Sequence, residues 1–256
     1  MTASDRVDGR SPLELRRIEI EPGFTTNPAG SALIRFGRTM VLCTAAVEAG
    51  VPRFRRDIGG WLTAEYAMAP GSTHSRAPRE SMRGKVKGRT HEIQRLVGRS
   101  IRACIDLEAI GEHTIHLDCE VLQADGGTRT ASITGAFVAL ALACDSLMRD
   151  GAIEKSPLHT SVSAISCGVV GGRPLVDLNY HEDSSAEVDA NLVFTGAGEL
   201  VEVQATGENG TLSRGDLNAM LDAGEDVARQ LSIAQAQALG GASERLGLHA
   251  IMMGTT

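Results

Sequence analysis

Three short segments combine residue types that phosphoryl chemistry uses. The first is Gly126-Gly127-Thr128-Arg129, which lies between a predicted strand and a predicted apolar helix. Glycines let the backbone approach a ligand closely, a helix start presents N–H groups, and Arg donates bidentate hydrogen bonds to phosphate. The segment therefore predicts a phosphate site, although a plain tight turn capped by Thr128 would have the same sequence.

The second segment, Gly88-Arg89-Thr90, has a similar character at the predicted start of another helix. If the two helix starts converge, Arg89 and Arg129 would bracket one phosphate group. The alternative is that Thr90 simply caps its helix.

The third segment, residues 180–189, is rich in carboxylates: Glu182, Asp183, Glu187 and Asp189. Carboxylates this dense repel one another unless a metal ion or a shared proton relieves them. Asp183 and Asp189 could hold Mg²⁺, or one of them could act as a general acid. An acidic surface loop is the alternative interpretation.

The charge distribution indicates where an anionic partner would bind. The net charge of the 256 residues is −7, which taken alone argues against a nucleic-acid-binding protein. Residues 53–102, however, hold twelve basic and four acidic side chains, a charge of +8 against −15 for the rest of the chain. This basic block, which includes Lys85, indicates a local anionic partner, or otherwise a solvated loop and helix face.

The predicted elements place these segments at strand ends and helix starts. Strands over residues 31–48 and 112–123 precede a helix over 131–149. Strands over 159–178 and 191–205 precede a helix over 212–239, and residues 70–88 are predicted as a loop. A further helix has one apolar stripe, formed by Ile93, Leu96, Val97, Ile101 and Cys104. Strands followed by a helix, twice over, predict an α+β architecture of two similar halves in one compact unit.

The remaining features indicate a cytoplasmic protein with no membrane partner. Five scattered cysteines without a CxxC pair are typical of reduced core thiols. The polar N-terminus lacks the apolar core of a signal peptide, and the longest apolar run, residues 133–144, is too short to cross a bilayer. Residues 1–12 are predicted to be loose, residues 1–240 to form a single catalytic domain, and residues 241–256 to be a disordered tail.

Five motifs resemble the bacterial ribonuclease PH family: GWLTAEYAM, STHSR, GRTHEIQRLVGRSIRA, LDCEVLQADGGTRTASITGA and DLNYHEDSSAEVDANLV. The similarity extends from about residue 10 to residue 239. It implies the ribosomal protein S5 domain 2-like fold of the family's core and a homo-hexamer, a trimer of dimers. It also implies a phosphorolytic 3′→5′ exoribonuclease, a tRNA nucleotidyltransferase, which trims tRNA precursors and other RNA 3′ ends with inorganic phosphate as co-substrate.

The resemblance also assigns residues. The family's phosphate ligands match Arg89, Gly127, Thr128 and Arg129, its catalytic aspartates match Asp183 and Asp189, and its RNA-binding loop residues match Arg76 and Arg79. Gly71 stands where members commonly have Arg, which removes one expected tRNA contact.

Three alternatives remain at this point. A catalytically silent RNA-binding ring subunit would be expected to lack one of the phosphate-site arginines or catalytic aspartates, all of which are present here. A polynucleotide phosphorylase-like enzyme would be far longer, with duplicated cores. A phosphate-binding enzyme that acts on no nucleic acid would leave the basic block without a purpose.

Overall fold

The computed structural model describes residues 6–84, 86–208 and 210–254, so Lys85 of the basic block lies outside the described residues. Within these ranges the strands are β1 (Ile18–Pro22), β2 (Gly30–Phe36), β3 (Thr39–Ala49), β4 (Trp61–Met68), β5 (His113–Gln123), β6 (Val162–Val170), β7 (Arg173–Val176), β8 (Val188–Thr195) and β9 (Leu200–Gly207). The helices are α1 (Gly88–Arg102), α2 (Thr128–Arg149), α3 (Tyr180–Ser185), α4 (Arg214–Leu239), α5 (Gly241–Arg245) and α6 (His249–Met253).

The strands form two sheets. The first has the order β1-β2-β3-β5-β4, with β4 and β5 parallel and the other neighbours antiparallel. The second, β7-β6-β8-β9, is antiparallel throughout. Alternating side chains explain the half-buried strands: in β5, Ile115, Leu117, Cys119 and Val121 are buried, as the sequence predicts. In chain order, the strands of each sheet are followed by a long helix, α2 or α4, so the predicted α+β architecture of two halves is observed.

Helix α2 lies between the halves. It packs on β2 and β3 of the first sheet and on β6 of the second. Its 22 residues are apolar enough, by length and composition, to cross a membrane, which the shorter run at residues 133–144 did not suggest. Because 83% of its most apolar window is buried inside the protein, its apolar side chains serve the core.

Helices α1 and α4 follow their predicted patterns. The α1 stripe of Ile93, Leu96, Val97 and Ile101 is buried against β4 and α2. Helix α4 begins where predicted, because the Ser213 hydroxyl accepts a hydrogen bond from the Asp216 N–H at 3.0 Å.

The tail beyond residue 240 is not disordered, which corrects the prediction. Helices α5 and α6 bury Ala242, Leu246, Leu248 and Met252 in the same apolar cluster as both sheets. The Arg245 guanidinium also donates two hydrogen bonds of 2.7 Å to Asp145 of α2. These partners lie about a hundred residues away in sequence, so local periodicity did not reveal them. Residues 255–256 lie outside the described ranges.

The prediction of a loose N-terminus is also wrong for the described part of that segment. Arg6 and Arg10 are both 7% exposed, and Arg6 forms an ion pair with Glu182. The polar composition of residues 1–12 suggested that they do not pack. Arg6 and Arg10 are buried because they form ion pairs with buried carboxylates in the second half of the chain.

Candidate active site

A cavity of about 570 Å³ lies between the two halves. Six of the predicted site residues line it: Arg89, Gly127, Thr128, Arg129, Asp183 and Asp189. They come from the starts of α1 and α2, from α3 and from β8. The cavity therefore brings together residues that are up to a hundred positions apart in sequence.

The turn before α2 presents an open helix start. Gly127 is the N-cap residue, with a left-handed φ of 67°, and no side-chain hydrogen bond from the described residues caps the first turn. Thr128 is therefore the first helical residue and not the cap, so its first-turn N–H groups are available to an anion. The Thr128 hydroxyl instead lies 3.0 Å from the Tyr66 hydroxyl.

The N-cap residue of helix α1 is Lys87 rather than Thr90, and the Lys87 side chain makes no capping hydrogen bond; the Lys87 N–H donates to Glu80 Oε2 at 3.1 Å. Arg89 in the first turn is exposed to the cavity. Arg129 reaches the same cavity, and its Nη2 lies 3.6 Å from Glu92 Oε2 of α1. The two arginines thus converge, as a shared phosphate group would require.

The four clustered carboxylates have separate environments. Glu182 is buried and paired with Arg6, while Glu187 accepts a hydrogen bond from the Gly172 N–H at 3.2 Å. Of these four carboxylates, Asp183 and Asp189 line the cavity, and Glu182 and Glu187 are not among its described lining residues. The segment is thus neither one metal-binding cluster nor an acidic surface loop, because the first part of it is the short helix α3.

Burial governs the acidity of the two cavity aspartates. It raises the pKa of Asp183, while Arg89 and Arg129 act in the opposite direction. Burial also raises the pKa of Asp189, and the neighbouring Asp183 raises it further. Each aspartate therefore holds a proton more readily than an exposed carboxyl group. A positive charge placed beside either ionised carboxylate would offset the cost of its burial.

The two aspartates fit Mg²⁺ as a donor set. Their oxygens are the hard ligands that this ion prefers, and Mg²⁺ in phosphate chemistry commonly takes one or two carboxylates together with substrate phosphates. No cluster of three or more His, Cys, Asp or Glu ligands occurs in the described ranges, so the protein would contribute only this pair.

Two residues of the site were not found from the sequence: Tyr66, whose hydroxyl contacts Thr128 from outside the cavity lining, and Glu208, which lines the cavity. Tyr66 is the inward-facing end of an alternation in β4 (Leu62, Ala64, Tyr66), a signal that the sequence does contain. Glu208 follows β9 and raises the pKa of both aspartates. It had no local signal, because only the sheet register brings it near Asp189.

Arg76 and Arg79 lie on the loop between β4 and α1. Both are exposed and neither is part of the cavity lining within the described residues, although Thr73, His74 and Ser75 of the same loop are. Arg79 Nη1 forms a 2.9 Å ion pair with Glu120. Gly71 has open space where a side chain would begin, so nothing nearby excludes an Arg at this position.

Part of the basic block has structural partners. Arg99 forms an ion pair with Glu202 at 2.6 Å. Arg102 donates a hydrogen bond to the Leu62 carbonyl at 3.0 Å and stacks over Trp61 at 5.0 Å. The block is therefore not wholly available to an anionic partner, and the prediction applies best to its loop and to Arg89.

The sequence matches two models of the 3′ exoribonuclease family, domain 1 over residues 14–144 and domain 2 over residues 160–227. It is 58% identical over 240 residues to ribonuclease PH of Corynebacterium efficiens, covering 93% of this chain and 98% of that one. The chain belongs to the ribonuclease PH family. Ribonuclease PH of Mycobacterium tuberculosis is likewise 58% identical, over 92% of each chain.

Solved structures share the ribonuclease PH core fold. Rice Rrp46 superposes with a TM-score of 0.75 at 21% identity, covering 91% of this chain and all of that one. A chain of the Archaeoglobus fulgidus exosome with RNA bound to the active site gives a TM-score of 0.77 at 24% identity, covering 89% and 91%. At these identities the likeness establishes the fold, which confirms the prediction.

Membership of the ribonuclease PH family confirms the predicted class of activity, a phosphorolytic 3′→5′ exoribonuclease. Neither the relatives nor the cavity favours the catalytically silent alternative.

Proposed function

We propose that this chain shortens the 3′ ends of tRNA precursors and other RNAs one nucleotide at a time, with inorganic phosphate as the attacking group. The observation that carries the proposal is the convergence of Arg89, Arg129 and the α2 start with Asp183 and Asp189 around one cavity. Cations that hold phosphate groups and carboxylates that handle a proton or a metal are the main requirements of phosphoryl transfer.

The attacking phosphate would bind at the start of α2. The N–H groups following Gly127, the Thr128 hydroxyl and the guanidinium groups of Arg89 and Arg129 are the donors available there. They neutralise the charge on the nucleophile and fix its direction, and holding two anions in a reactive geometry provides much of the rate in such reactions.

One oxygen of this phosphate attacks the phosphorus of the last 3′,5′-phosphodiester. A new P–O bond forms to the incoming phosphate, while the bond to the 3′ oxygen of the preceding nucleotide breaks. The terminal nucleotide leaves as a nucleoside 5′-diphosphate, and the shortened RNA receives a proton on its 3′ oxygen. Because one phosphate ester is exchanged for a phosphoanhydride without water, the reaction is expected to run in both directions.

Asp183 and Asp189 have two candidate roles. With its pKa raised by burial, either aspartate can carry the proton that the leaving 3′ oxygen needs. Both can also hold Mg²⁺, which when bound supplies positive charge beside the scissile phosphate. The two roles are compatible if one aspartate donates the proton and the other holds Mg²⁺.

The RNA would approach along the loop that precedes α1. Arg76 and Arg79 offer exposed guanidinium groups for the RNA backbone, and Thr73 to Ser75 connect that loop to the cavity. With only 3% aromatic residues, contacts by arginine should dominate over base stacking, which gives salt-sensitive and largely sequence-independent binding. We extend the proposal to a homo-hexamer, a trimer of dimers, located in the cytoplasm, on the resemblance to the family.

The test is an incubation with a 3′-extended tRNA, with and without phosphate. Phosphate-dependent release of nucleoside diphosphates supports the proposal, whereas release of monophosphates would indicate hydrolysis and contradict it. Arg129→Met should abolish the phosphate-dependent release of nucleoside diphosphates. Arg229→Met, on the exposed face of α4, is the matched control and should leave this release unchanged. Excess nucleoside diphosphate without phosphate should extend an RNA primer.

A further inference from the structure

Three buried arginines of the N-terminal segment converge on two buried carboxylates. The side chains of Arg6, Arg10 and Arg16 are 3%, 8% and 5% exposed, and those of Asp177 and Glu182 are 0% and 6% exposed. We call these five residues the arginine clamp. None of them belongs to the phosphate site or the aspartate pair proposed above.

One end of the clamp holds helix α3. Arg6 donates to both carboxylate oxygens of Glu182, at 2.7 and 2.6 Å. Glu182 Oε2 also accepts the Asn179 N–H at 2.9 Å, while the Asn179 side chain caps the first turn of α3. Since Asp183 is the next residue of this turn, the position of its carboxylate depends on the pair.

The other end holds the turn that precedes α2. Arg16 Nη1 donates to the Asp125 carbonyl at 2.5 Å, and Nη2 approaches the Gly126 carbonyl at 3.4 Å. The same guanidinium donates to Asp177 at 3.0 and 2.7 Å. Asp177 itself has a φ of 52°, a left-handed conformation that a residue with a side chain adopts only where the surroundings impose it.

The arginine clamp is not an efficient source of folding stability. Burying five charged groups costs solvation that the ion pairs only partly return, and apolar residues of similar volume often stabilise as well or better. Arg10 Nη2 is buried with no hydrogen-bond partner in the described part of the chain, so the network is not even fully satisfied. Its geometry, however, joins the two sides of the cavity through one set of rigid, charge-assisted hydrogen bonds.

We propose that the arginine clamp positions the phosphate-binding turn and Asp183 relative to each other, Arg16 acting on the turn and Arg6 acting on α3. Its members are positioning residues, since their hydrogen bonds reach the site through backbone carbonyls and through Glu182. The inference rests on the proposed function. It predicts that the two ends of the clamp affect different kinetic parameters, which a purely stabilising network would not do.

The experiment compares Arg16→Lys and Arg6→Lys in the full-length chain. Lysine keeps the charge but cannot make the forked contacts. Arg16→Lys should raise KM for phosphate about fivefold or more with little change in kcat, and should weaken the rise in Tm that added phosphate produces. Arg6→Lys should lower kcat on a short oligonucleotide by about tenfold while KM for phosphate stays within about twofold.

Arg245→Lys is the matched control, because Arg245 makes an equivalent forked pair with Asp145 away from the cavity. It should lower Tm without changing either kinetic parameter of the folded protein. If a clamp variant does not fold, Glu182→Gln replaces Arg6→Lys, and Thr39→Val, which removes a 2.6 Å bond to the Gly126 carbonyl, replaces Arg16→Lys.

The inference is overturned if the clamp variants behave as the control does, with a lower Tm and unchanged kinetics. Equal changes in both parameters for both variants would also overturn it. The Tm response to phosphate does not depend on RNA cleavage. A wild-type chain that is stabilised by phosphate but releases no nucleoside diphosphate would therefore contradict the proposed function and leave the Arg16 arm testable.

Discussion

The Tyr66 hydroxyl has one described partner, the hydroxyl of Thr128 at the start of α2. Tyr66 is 4% exposed, and burial raises its pKa, so it remains a neutral phenol at physiological pH. A neutral hydroxyl fixed in this way can orient the Thr128 hydroxyl toward the cavity without adding charge. At the scale of single side chains, the phosphate site therefore extends to a residue of the neighbouring strand.

Tyr66→Phe should raise KM for phosphate by about 2- to 10-fold, the value of one hydrogen bond between neutral groups, with little change in kcat. Steady-state phosphorolysis of a short oligonucleotide measures both. Tyr180→Phe is the control, because Tyr180 lines the cavity but its hydroxyl is not the partner of Thr128. An unchanged KM for Tyr66→Phe would mean that Thr128 needs no such orientation.

Asp189→Asn should abolish most activity and stabilise the fold at neutral pH. Burial raises the pKa of Asp189 above its value in the unfolded chain, so the folded state binds the proton more tightly. Ionisation therefore lowers stability as pH rises through the folded pKa, and this loss is absent below the unfolded pKa of about 3.9. The variant should have the higher Tm at pH 7, and the difference should shrink toward pH 4.

Activity of the same variant should fall by about 10²- to 10⁴-fold, the usual contribution of a general acid. Asp222→Asn, on the exposed face of α4, is the control and should show no such pH-dependent gain. A Tm for Asp189→Asn that stays below that of the wild type at pH 7 would contradict the argument.

At the scale of elements, the turn before α2 and the junction between β7 and α3 approach each other closely. Gly126 has a φ of 77°, and a Cβ there would lie 2.4 Å from the Leu178 carbonyl oxygen. Only glycine allows the two backbones to meet at this distance. The width of the cavity is therefore set by backbone contact as well as by side chains.

Gly126→Ala should lower both stability and activity, because the new methyl group separates the phosphate turn from α3. Gly171→Ala is the matched control, since Gly171 also has a positive φ of 57° but has open space around it. The control should cost only the left-handed conformation, about 1–2 kcal/mol in the free energy of unfolding. Equal losses in chemical denaturation for the two variants would show that the backbone contact is unimportant.

Elements with strong local patterns could be predicted from the sequence. The stripe of α1, the apolar α2, the alternation of β5 and the Ser213 cap all hold. Both helix starts and both aspartates were located by residue type. The N-terminal pairing, α5 and α6 could not be predicted, because their partners lie far away in sequence. Strand β4 was overlooked although it alternates, and α3 was hidden by its charges.

At the scale of the whole molecule, the last helices complete the core. Leu246, Leu248 and Met252 are 2%, 1% and 1% exposed. A chain that ends at residue 240 should lose much stability, since each such side chain contributes about 1.5–3 kcal/mol when buried. Thermal unfolding measures the loss. A truncated chain with unchanged Tm would show that α5 and α6 are dispensable. The Tm of Arg245→Lys measures the share of the loss that comes from the ion pair with Asp145 rather than from the apolar side chains.

We expect the loop between β4 and α1 to contact a large RNA through Arg76 and Arg79. Arg76→Ala combined with Arg79→Ala should weaken tRNA binding, and more so at low salt, while cleavage of a short oligonucleotide stays nearly intact. Binding titrations at two salt concentrations and parallel activity assays test this. Gly71→Arg should act in the opposite direction. Equal loss on both substrates would contradict this division between loop and cavity.

The arginine clamp also joins the first residues of the chain to residues that are synthesised much later. In sequence, 176 residues separate Arg6 from Glu182. At usual synthesis rates, Glu182 is added roughly 10–30 s after Arg6. Until then α3 and its Asp183 are missing, although the phosphate turn can already contact Arg16 and Thr39, which precede it in the chain. An incomplete chain thus carries Arg89 and Arg129 without Asp183 and Asp189, so we expect activity to begin only once most of the protein has been made.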